Sequence, residues 1–179
     1  PMMASSSTVS FIIHGKGGHA AHPHKGIDPV IISAYTMTAI QSIVSRNVSP
    51  LESAVISFGK VEAGTAFNII PDYAFVQGTV RTLSAEVSEL IEKRIKEVID
   101  FQARSFGATS EVEYKHVFLP LINDSHVIDI LEESSKSSIG RENVCFLEQP
   151  SMGGEDFSNY LEKVPGALIR LGTSNEFKE

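Results

Sequence analysis

The densest cluster of side chains that could do chemistry lies in a glycine-rich segment, GKGGHAAHPH, at residues 15–24. Glycines let the backbone turn tightly and approach a ligand, and His19 directly after them could act on that ligand as a proton donor or electrophile. A flexible turn with solvated histidines explains the segment equally well. A zinc site of His19, His22 and His24 is less favoured, because their spacing lacks the helical geometry of HExxH and Asp28 is the one carboxylate nearby.

Two further candidate residues follow in the middle of the chain. Asn68 lies in the segment GTAFNIIPD at residues 64–72, where its amide must find hydrogen bonds if it is buried. It is therefore a turn or cap residue, the commoner use, or an amide that faces a ligand. Arg81 lies on a predicted strand whose other face is apolar, so its guanidinium either holds a substrate carboxylate or belongs to a solvated sheet face.

The third candidate segment is MGGEDF at residues 152–157. Gly153 and Gly154 precede an acidic first turn, which is typical of a helix N-terminus that can face an anion or of a tight loop at the rim of a cleft. The sequence contains neither a GxxxxGK[ST] phosphate loop nor a GxSxG nucleophile elbow.

The elements that must position these residues alternate as strand, helix, strand, strand, helix, strand. Strands are predicted over residues 8–13, 53–61, 73–82 and 111–118, and helices over 29–45 and 85–106. This order is the split βαβ pattern of an α+β, ferredoxin-like domain over residues 8–118, a four-stranded antiparallel sheet with two helices on one face.

Local signals support the two helices. Asp28 and Pro29 favour a helix start, Ser84 can cap the second helix and Gly107 can end it. The apolar stripe that we expect the first helix to bury comprises Val30, Ile31, Ala34, Met37, Ile40, Ile43 and Val44.

The character of the chain changes after Pro120. Helices are predicted from Asn123 to about Ser138 and over 156–161, and short strands over 143–147 and 167–171. Alternating helices and strands indicate part of an α/β layer, but these residues are too few to cover both faces of a parallel sheet. Cys145 lies in an apolar run, where a buried small hydrophobic role is expected rather than a catalytic thiol.

Composition narrows the class of protein. The 179 residues are 42% hydrophobic and 21% charged, which argues against global disorder, and 15 Lys and Arg against 22 Asp and Glu give a net charge of −7. This acidic balance argues against nucleic acid as a partner. No stretch approaches the roughly 18 apolar residues of a membrane span, no secretory signal is seen, and with one cysteine the default setting is the reducing cytoplasm.

Five segments in this order resemble one family. They are GKGGHAAHPH at 15–24, IDPV at 27–30, GTAFNIIPD at 64–72, GTVRT at 78–82 and GGEDFS at 153–158. The family is that of the metal-dependent amidohydrolases that include hippurate hydrolase, N-acyl-amino-acid deacylases and indole-acetyl-amino-acid hydrolases, within the aminoacylase and carboxypeptidase group of metallopeptidases.

The resemblance implies a two-domain homodimeric enzyme. Its catalytic α/β domain would carry two divalent metal ions (Zn, Mn, Ni or Co), and a ferredoxin-like lid inserted into that domain would dimerise. The lid would be residues 8–118, and residues 119–179 would be an incomplete portion of the catalytic domain. The metal-binding segments of the family have no counterpart in this sequence, so no metal ligand is assigned and this chain alone is expected to be inactive and to bind no metal.

The resemblance also implies roles for individual residues. His19 matches a lid histidine that reaches the partner subunit's active site and stabilises the oxyanion. Asn68 matches a substrate-contacting amide, and Arg81 matches a residue that holds the substrate carboxylate. Gly153 and Gly154 match a loop beside the metal site.

The predicted function is hydrolysis of the amide of an N-acyl amino acid, in which a metal-bound water attacks the carbonyl carbon. The alternative is a stand-alone ferredoxin-like module that dimerises or binds a small molecule without catalysis. The enzyme interpretation expects Asn68, Arg81 and a neighbouring subunit's His19 to converge on one cleft, whereas a pure interaction module would leave them scattered.

Overall fold

The structure, a computed structural model, describes residues 1–173. Its strands are β1 Ser6–His14, β2 Gly18–His19, β3 Ala54–Ala63, β4 Ile69–Ile70, β5 Tyr73–Thr82 and β6 Thr109–Phe118. Its helices are α1 Pro29–Arg46, α2 Ala85–Ser105, α3 Ser125–Ile139 and α4 Ser158–Leu161.

The four long strands form one antiparallel sheet in the order β3-β5-β1-β6. Helices α1 and α2 pack against the same face of this sheet and against each other. The predicted ferredoxin-like α+β arrangement is therefore confirmed. Strands β3 and β6 are the edges of the sheet, and the short strands β2 and β4 pair beyond one of its ends.

The helix ends follow from local chemistry. The Asp28 carboxylate accepts the backbone N–H of Val30 at 2.9 Å, and Pro29 begins the helix without an amide to satisfy. At the second helix, Ser84 Oγ accepts the N–H of Val87 at 3.2 Å. Gly107 follows the end of this helix with a φ of 75°, a left-handed conformation that favours glycine.

The core lies between the helical layer and the sheet. It is built from alternate residues of the central strands, such as Val9 and Val76, and from one side of each helix, such as Ile40 and Ile95. Burying each of these side chains contributes about 1.5–3 kcal/mol. This packing fixes which strand residues point away from the helices, Arg81 among them.

The buried face of α1 differs from the predicted stripe. Val30 and Ile31 are 42% and 50% exposed, whereas Ser33 and Thr36 are buried. The Thr36 hydroxyl is paired there, because its Oγ1 donates to the carbonyl of Ile32 at 2.8 Å, whereas the buried Ser33 hydroxyl has no partner among the described residues. The first half of the helix therefore exposes apolar residues that a sequence pattern assigns to the interior.

The two strands predicted at 143–147 and 167–171 are wrong. Neither segment is a strand in the described structure, because an apolar segment becomes one only beside a partner strand. The predicted burial of Cys145 is also wrong, since its side chain is exposed. Residues 174–179 of the expected catalytic portion lie outside the described residues.

A bilayer crossing demands a helix that is both long and apolar. None of the helices in residues 1–173 combines the two properties to the extent that a crossing needs.

Candidate functional site

His19 and Asn68 lie side by side, although they are far apart in the sequence. In the β2–β4 pair, Gly18 stands opposite Ile70 and His19 opposite Ile69. The N–H of Ala20 donates to the carbonyl oxygen of Asn68 at 3.1 Å. The side chains of His19 and Asn68 are exposed. The candidate segments at residues 15–24 and 64–72 thus form one surface, which we call the His19–Asn68 half-site.

Asp72 holds this half-site onto the sheet. Its backbone oxygen accepts the N–H of Gly15 at 2.8 Å, and its carboxylate Oδ1 accepts the N–H of Gly17, also at 2.8 Å. A Cβ at Gly17 would lie 2.7 Å from the carbonyl oxygen of Ile70, so glycine is needed for this close approach. Asp72 is the last residue of the segment GTAFNIIPD, and the sequence pattern predicts no anchoring role for it.

The loop is also joined to the start of α1. The N–H of Lys16 donates to the carbonyl of Ile27 at 2.8 Å, and the N–H of Ile27 donates back at 2.9 Å. Asp28, which caps α1, follows immediately. The half-site is therefore anchored at both the sheet and the helix.

The three histidine rings of this loop lie close to one another. Their ring centroids are 5.7 Å apart for His19 and His22 and 6.1 Å apart for His22 and His24. Over residues 1–173, no group of three or more His, Cys, Asp or Glu side chains is arranged to hold a metal ion. The described part of the chain therefore does not fit the two divalent metals that the sequence resemblance implies for the whole enzyme.

Arg81 lies against the other glycine loop. Arg81 lies on β5, where it pairs with Val55 of β3. A Cβ placed on Gly154 would lie 2.6 Å from the Nη1 atom of Arg81. The ring of Phe118 borders the same glycine, with Cε2 at 2.4 Å from that Cβ position. Within the described residues Arg81 makes no salt bridge, so its guanidinium is available to an anion. We call this surface the Arg81–Gly154 half-site.

The glycine loop at this half-site is tied to the start of the chain. The N–H of Ala4 donates to the carbonyls of Ser151 and Gly153, at 2.9 and 3.0 Å. The N–H of Ser151 in turn donates to the carbonyl of Met2 at 2.9 Å. These contacts bring residues about 150 positions apart together beside the guanidinium.

A buried hydroxyl pair fixes the strand end that carries Arg81. Ser5 Oγ and Thr82 Oγ1 are 2.8 Å apart, and the N–H of Thr82 donates to Ser5 Oγ at 3.1 Å. Both residues are buried, so these bonds satisfy hydroxyls that would otherwise be costly there. The sequence gives no signal for this pair, because Ser5 lies in an ordinary run of serines.

The two half-sites lie at opposite ends of one sheet. Strand β5 begins at Tyr73, next to Asp72, at one end of the sheet. Arg81 follows eight residues later, so about 27 Å of extended strand separates it from Tyr73. Asn68 therefore shares a surface with His19 and not with Arg81 of the same chain. Within one chain, the predicted convergence of Asn68 and Arg81 on a single cleft does not occur.

One perturbed acid, Glu92, lies where helix α2 meets strand β6. A hydrogen bond from Lys96 and a second from His116 hold the pKa of Glu92 below its ordinary value of 4.5, although partial burial works against them. The Lys96 Nζ to Glu92 Oε1 distance is 2.5 Å, and His116 Nε2 lies 2.8 Å from Glu92 Oε2. Burial raises the pKa of the nearby Tyr114 hydroxyl.

Comparison with known proteins relates this arrangement to one family. A model of the M20 peptidase dimerisation domain matches residues 4–106, more than half of the chain. The chain is 40% identical over 180 residues to N-acetyldiaminopimelate deacetylase of Lactococcus lactis subsp. cremoris strain SK11, covering 98% of this chain and 46% of that protein. It is 38% identical over 175 residues to N-acetylcysteine deacetylase of Bacillus subtilis strain 168, covering 97% and 45%.

Solved structures show the same relationship. The fold matches an aminohydrolase from methicillin-resistant Staphylococcus aureus with a TM-score of 0.82 at 29% identity, over 92% of this chain and 42% of that one. It matches the Bacillus subtilis YXEP protein, a dinuclear metal binding peptidase from the M20 family, with a TM-score of 0.71 at 30% identity, over 93% and 40%. The chain spans less than half of the length of the curated relatives it matches. It belongs to the M20 peptidase dimerisation domain family.

Proposed function

We propose that this chain is the dimerising lid, with a portion of the catalytic domain, of an amidohydrolase that cleaves the amide bond of N-acyl amino acids. Residues 8–118 form the lid and residues 119–179 belong to the catalytic portion. The observation that carries the proposal is the match of residues 4–106 to the M20 peptidase dimerisation domain, together with relatives that are 40% and 38% identical over almost the whole chain. The names of the relatives, which are deacetylases of N-acetylated amino acids, support the substrate class.

Each half-site suits one part of such a substrate. The Arg81 guanidinium can hold the substrate carboxylate through two parallel hydrogen bonds, with the Gly153–Gly154 loop close beside it. His19 and Asn68 carry donors that suit the carbonyl oxygen and the oxyanion that forms from it. A complete site needs both sets, and one chain holds them too far apart.

A dimer with two-fold symmetry would bring the two kinds of half-site together. When two sheets pair through equivalent antiparallel edge strands, they run in opposite directions. The His19–Asn68 half-site of one subunit is then brought toward the Arg81–Gly154 half-site of its partner. One such interface generates two complete sites.

The distribution of charge favours the side of the lid formed by α1 and β3 as the interface. Helix α1 has no charged residue before Arg46, and it exposes the apolar side chains of Val30 and Ile31. Strand β3 is an edge strand, and its Val55 is 37% exposed. An uncharged helix beside an unpaired strand edge is typical of a surface that another chain covers.

The opposite side of the lid has the character of a solvated surface. Helix α2 carries charged residues along its length, including ion pairs between Glu92 and Lys96 and between Asp100 and Arg104. Strand β6, the other edge, places Glu111, Glu113 and Lys115 on its exposed side. Charged side chains on an edge strand and on the helix beside it are typical of a surface that faces water rather than another chain.

The hydrolytic step itself needs groups that residues 1–173 do not supply. We propose that the full-length protein holds two divalent metal ions, of which Zn, Mn, Ni and Co are candidates, on residues outside the described part of this chain. Because the described residues offer no suitable ligand group, no step is assigned to a metal. We also propose the reducing cytoplasm as the setting of the protein, a choice that rests on the single cysteine.

Complementation between subunits tests the proposal in the full-length protein. His19→Ala subunits are mixed and re-equilibrated with Arg81→Ala subunits, and hydrolysis of N-acetyl amino acids is measured. If the half-sites combine across the dimer, each heterodimer has one site with both residues intact and one with neither. Activity should then recover to about a quarter of the wild-type value, because half of the dimers are mixed and one of their two sites works.

The matched control uses two residues of the same half-site. A mixture of His19→Ala and Asn68→Ala subunits should recover nothing, because every site in the heterodimer then lacks one of them. Equal recovery in both mixtures, or none in either despite verified heterodimers, contradicts the proposed arrangement. A full-length protein that dimerises but hydrolyses no N-acyl amino acid would instead support the non-catalytic module.

A further inference from the structure

The imidazole of His19 receives a hydrogen bond from its own loop. The backbone N–H of Ala21 donates to His19 Nδ1 at 3.1 Å. In a neutral imidazole, one nitrogen carries the proton and the other accepts. Because Nδ1 accepts here, the proton of the neutral ring resides on Nε2, which lies on the far side of the ring from Ala21.

The backbone on either side of this contact is also fixed. The N–H of Ala20 donates to the carbonyl of Asn68, and the N–H of His22 donates to the carbonyl of His19 at 2.8 Å. His19 itself is held in the β2–β4 strand pair, directly before these residues in the chain. The Ala21 N–H is therefore held in place by its neighbours rather than by the ring that it contacts.

His22 and His24 provide an internal comparison. Both are exposed residues of the same loop, and across residues 1–173 neither ring makes a hydrogen bond. Any tautomer preference that they show is that of a solvated imidazole. A difference between His19 and these two rings therefore reports the contact with Ala21.

We infer that Ala21 is a positioning residue whose backbone amide selects the Nε2–H tautomer of His19, so that the neutral ring presents a donor to the substrate oxygen. The inference rests on the proposed function for its catalytic meaning. The choice of tautomer decides the sign of the interaction, because in the Nδ1–H form Nε2 would direct a lone pair at a developing oxyanion. No change in protonation is needed for the neutral ring to donate.

Nitrogen-15 NMR of the 179-residue chain tests the inference without turnover. The spectra are recorded where a further rise in pH no longer changes the ring-nitrogen shifts, so that the three rings of the loop are all compared in their neutral form. His19 should show the Nε2–H pattern more completely than His22 and His24. A scalar coupling should connect the Ala21 amide nitrogen with His19 Nδ1 across the hydrogen bond.

Two substitutions separate the amide from the side chain. Ala21→Pro removes the N–H, so the coupling should vanish and the His19 pattern should fall to that of His22 and His24. Ala21→Gly keeps the N–H and should keep both signatures. The Gly17 amide resonance, which reports the bond to Asp72, shows whether the loop remains formed in the proline variant.

The outcomes are distinct from those of the complementation test. An unaltered chain in which His19 lacks the coupling and matches His22 and His24 overturns the inference, whatever the proline variant does. If the tautomer is selected but complementation fails, the proposed function falls and the loop property stands. In the full-length enzyme, Ala21→Pro should lower kcat about 10-fold or more with little change in KM.

Discussion

Arg81 and Gly154 touch across the interface between the sheet and the C-terminal loop, so closely that a Cβ on residue 154 would stand 2.6 Å from Arg81 Nη1. The same Cβ would stand 2.4 Å from Phe118 Cε2. Real Cβ contacts do not reach such distances. The hydrogen of a glycine is therefore what allows the guanidinium to lie beside this loop.

Gly154→Ala is expected to displace the Arg81 guanidinium, because the aromatic ring on the other side cannot yield as easily as a flexible side chain. In the full-length enzyme KM for an N-acyl amino acid should rise about 10-fold or more through loss of carboxylate binding. Overpacking should also lower the free energy of unfolding by about 1–3 kcal/mol. Steady-state kinetics and chemical denaturation measure the two effects.

Gly153→Ala is the matched control for this substitution. A Cβ there would meet Ser151 Oγ at 3.2 Å and the end of the Met3 side chain at 3.4 Å, both of which can move. The control should change KM and stability much less. Equal effects at the two glycines would mean that the contact with Arg81 does not position the guanidinium.

Asp72→Ala should loosen the loop that carries His19, because it removes the carboxylate that accepts the Gly17 N–H. Loss of about 1 kcal/mol corresponds to roughly a 5-fold faster hydrogen exchange of that amide. Exchange measured by NMR on the 179-residue chain checks this. Asp72→Asn retains an oxygen acceptor and should exchange nearly as slowly as the unaltered chain, so similar exchange in both variants would contradict the role of Asp72.

Thr38→Glu should weaken the proposed dimer, since Thr38 is exposed near the midpoint of the uncharged helix α1. A two-fold axis at this helix would bring the two introduced carboxylates together. We expect the dimer dissociation constant to rise about 100-fold or more, measured by sedimentation. Leu90→Glu on the charged helix α2 is the control, and a larger effect there would place the interface on the opposite side of the lid.

Glu92→Gln should reduce stability at neutral pH but not in acid. Folding lowers the pKa of Glu92, chiefly through Lys96, so its contribution is present above the ordinary value of 4.5 and is lost as the pH falls through the lowered folded value. Because Lys96 and Glu92 are both partly exposed, the expected loss in the free energy of unfolding is limited to about 0.5–1 kcal/mol. Denaturation at neutral and acidic pH measures it, with Glu89→Gln as control; an equal loss at both pH values would contradict the linkage.

Part of this protein could be predicted from the sequence alone. The alternation of apolar residues in 73–82 predicted β5 to the residue, and Asp28, Ser84 and Gly107 predicted the helix ends. These are short-range signals, because a cap or a strand face depends on residues within one or two turns of chain. The motifs around His19, Asn68 and Arg81 singled these residues out as candidates, and the roles that the family resemblance implies for them stay predictions.

Other features depend on contacts between distant segments, and only the tertiary structure decided them. Asn68 joins His19 rather than Arg81, because β4 pairs with β2 at the far end of the sheet. Arg81 meets Gly154 through a loop folded against the first residues of the chain. Ile31 and Cys145 are exposed because no other segment of the described chain packs over them. The local pattern of apolar residues does not determine which surfaces are covered in this way.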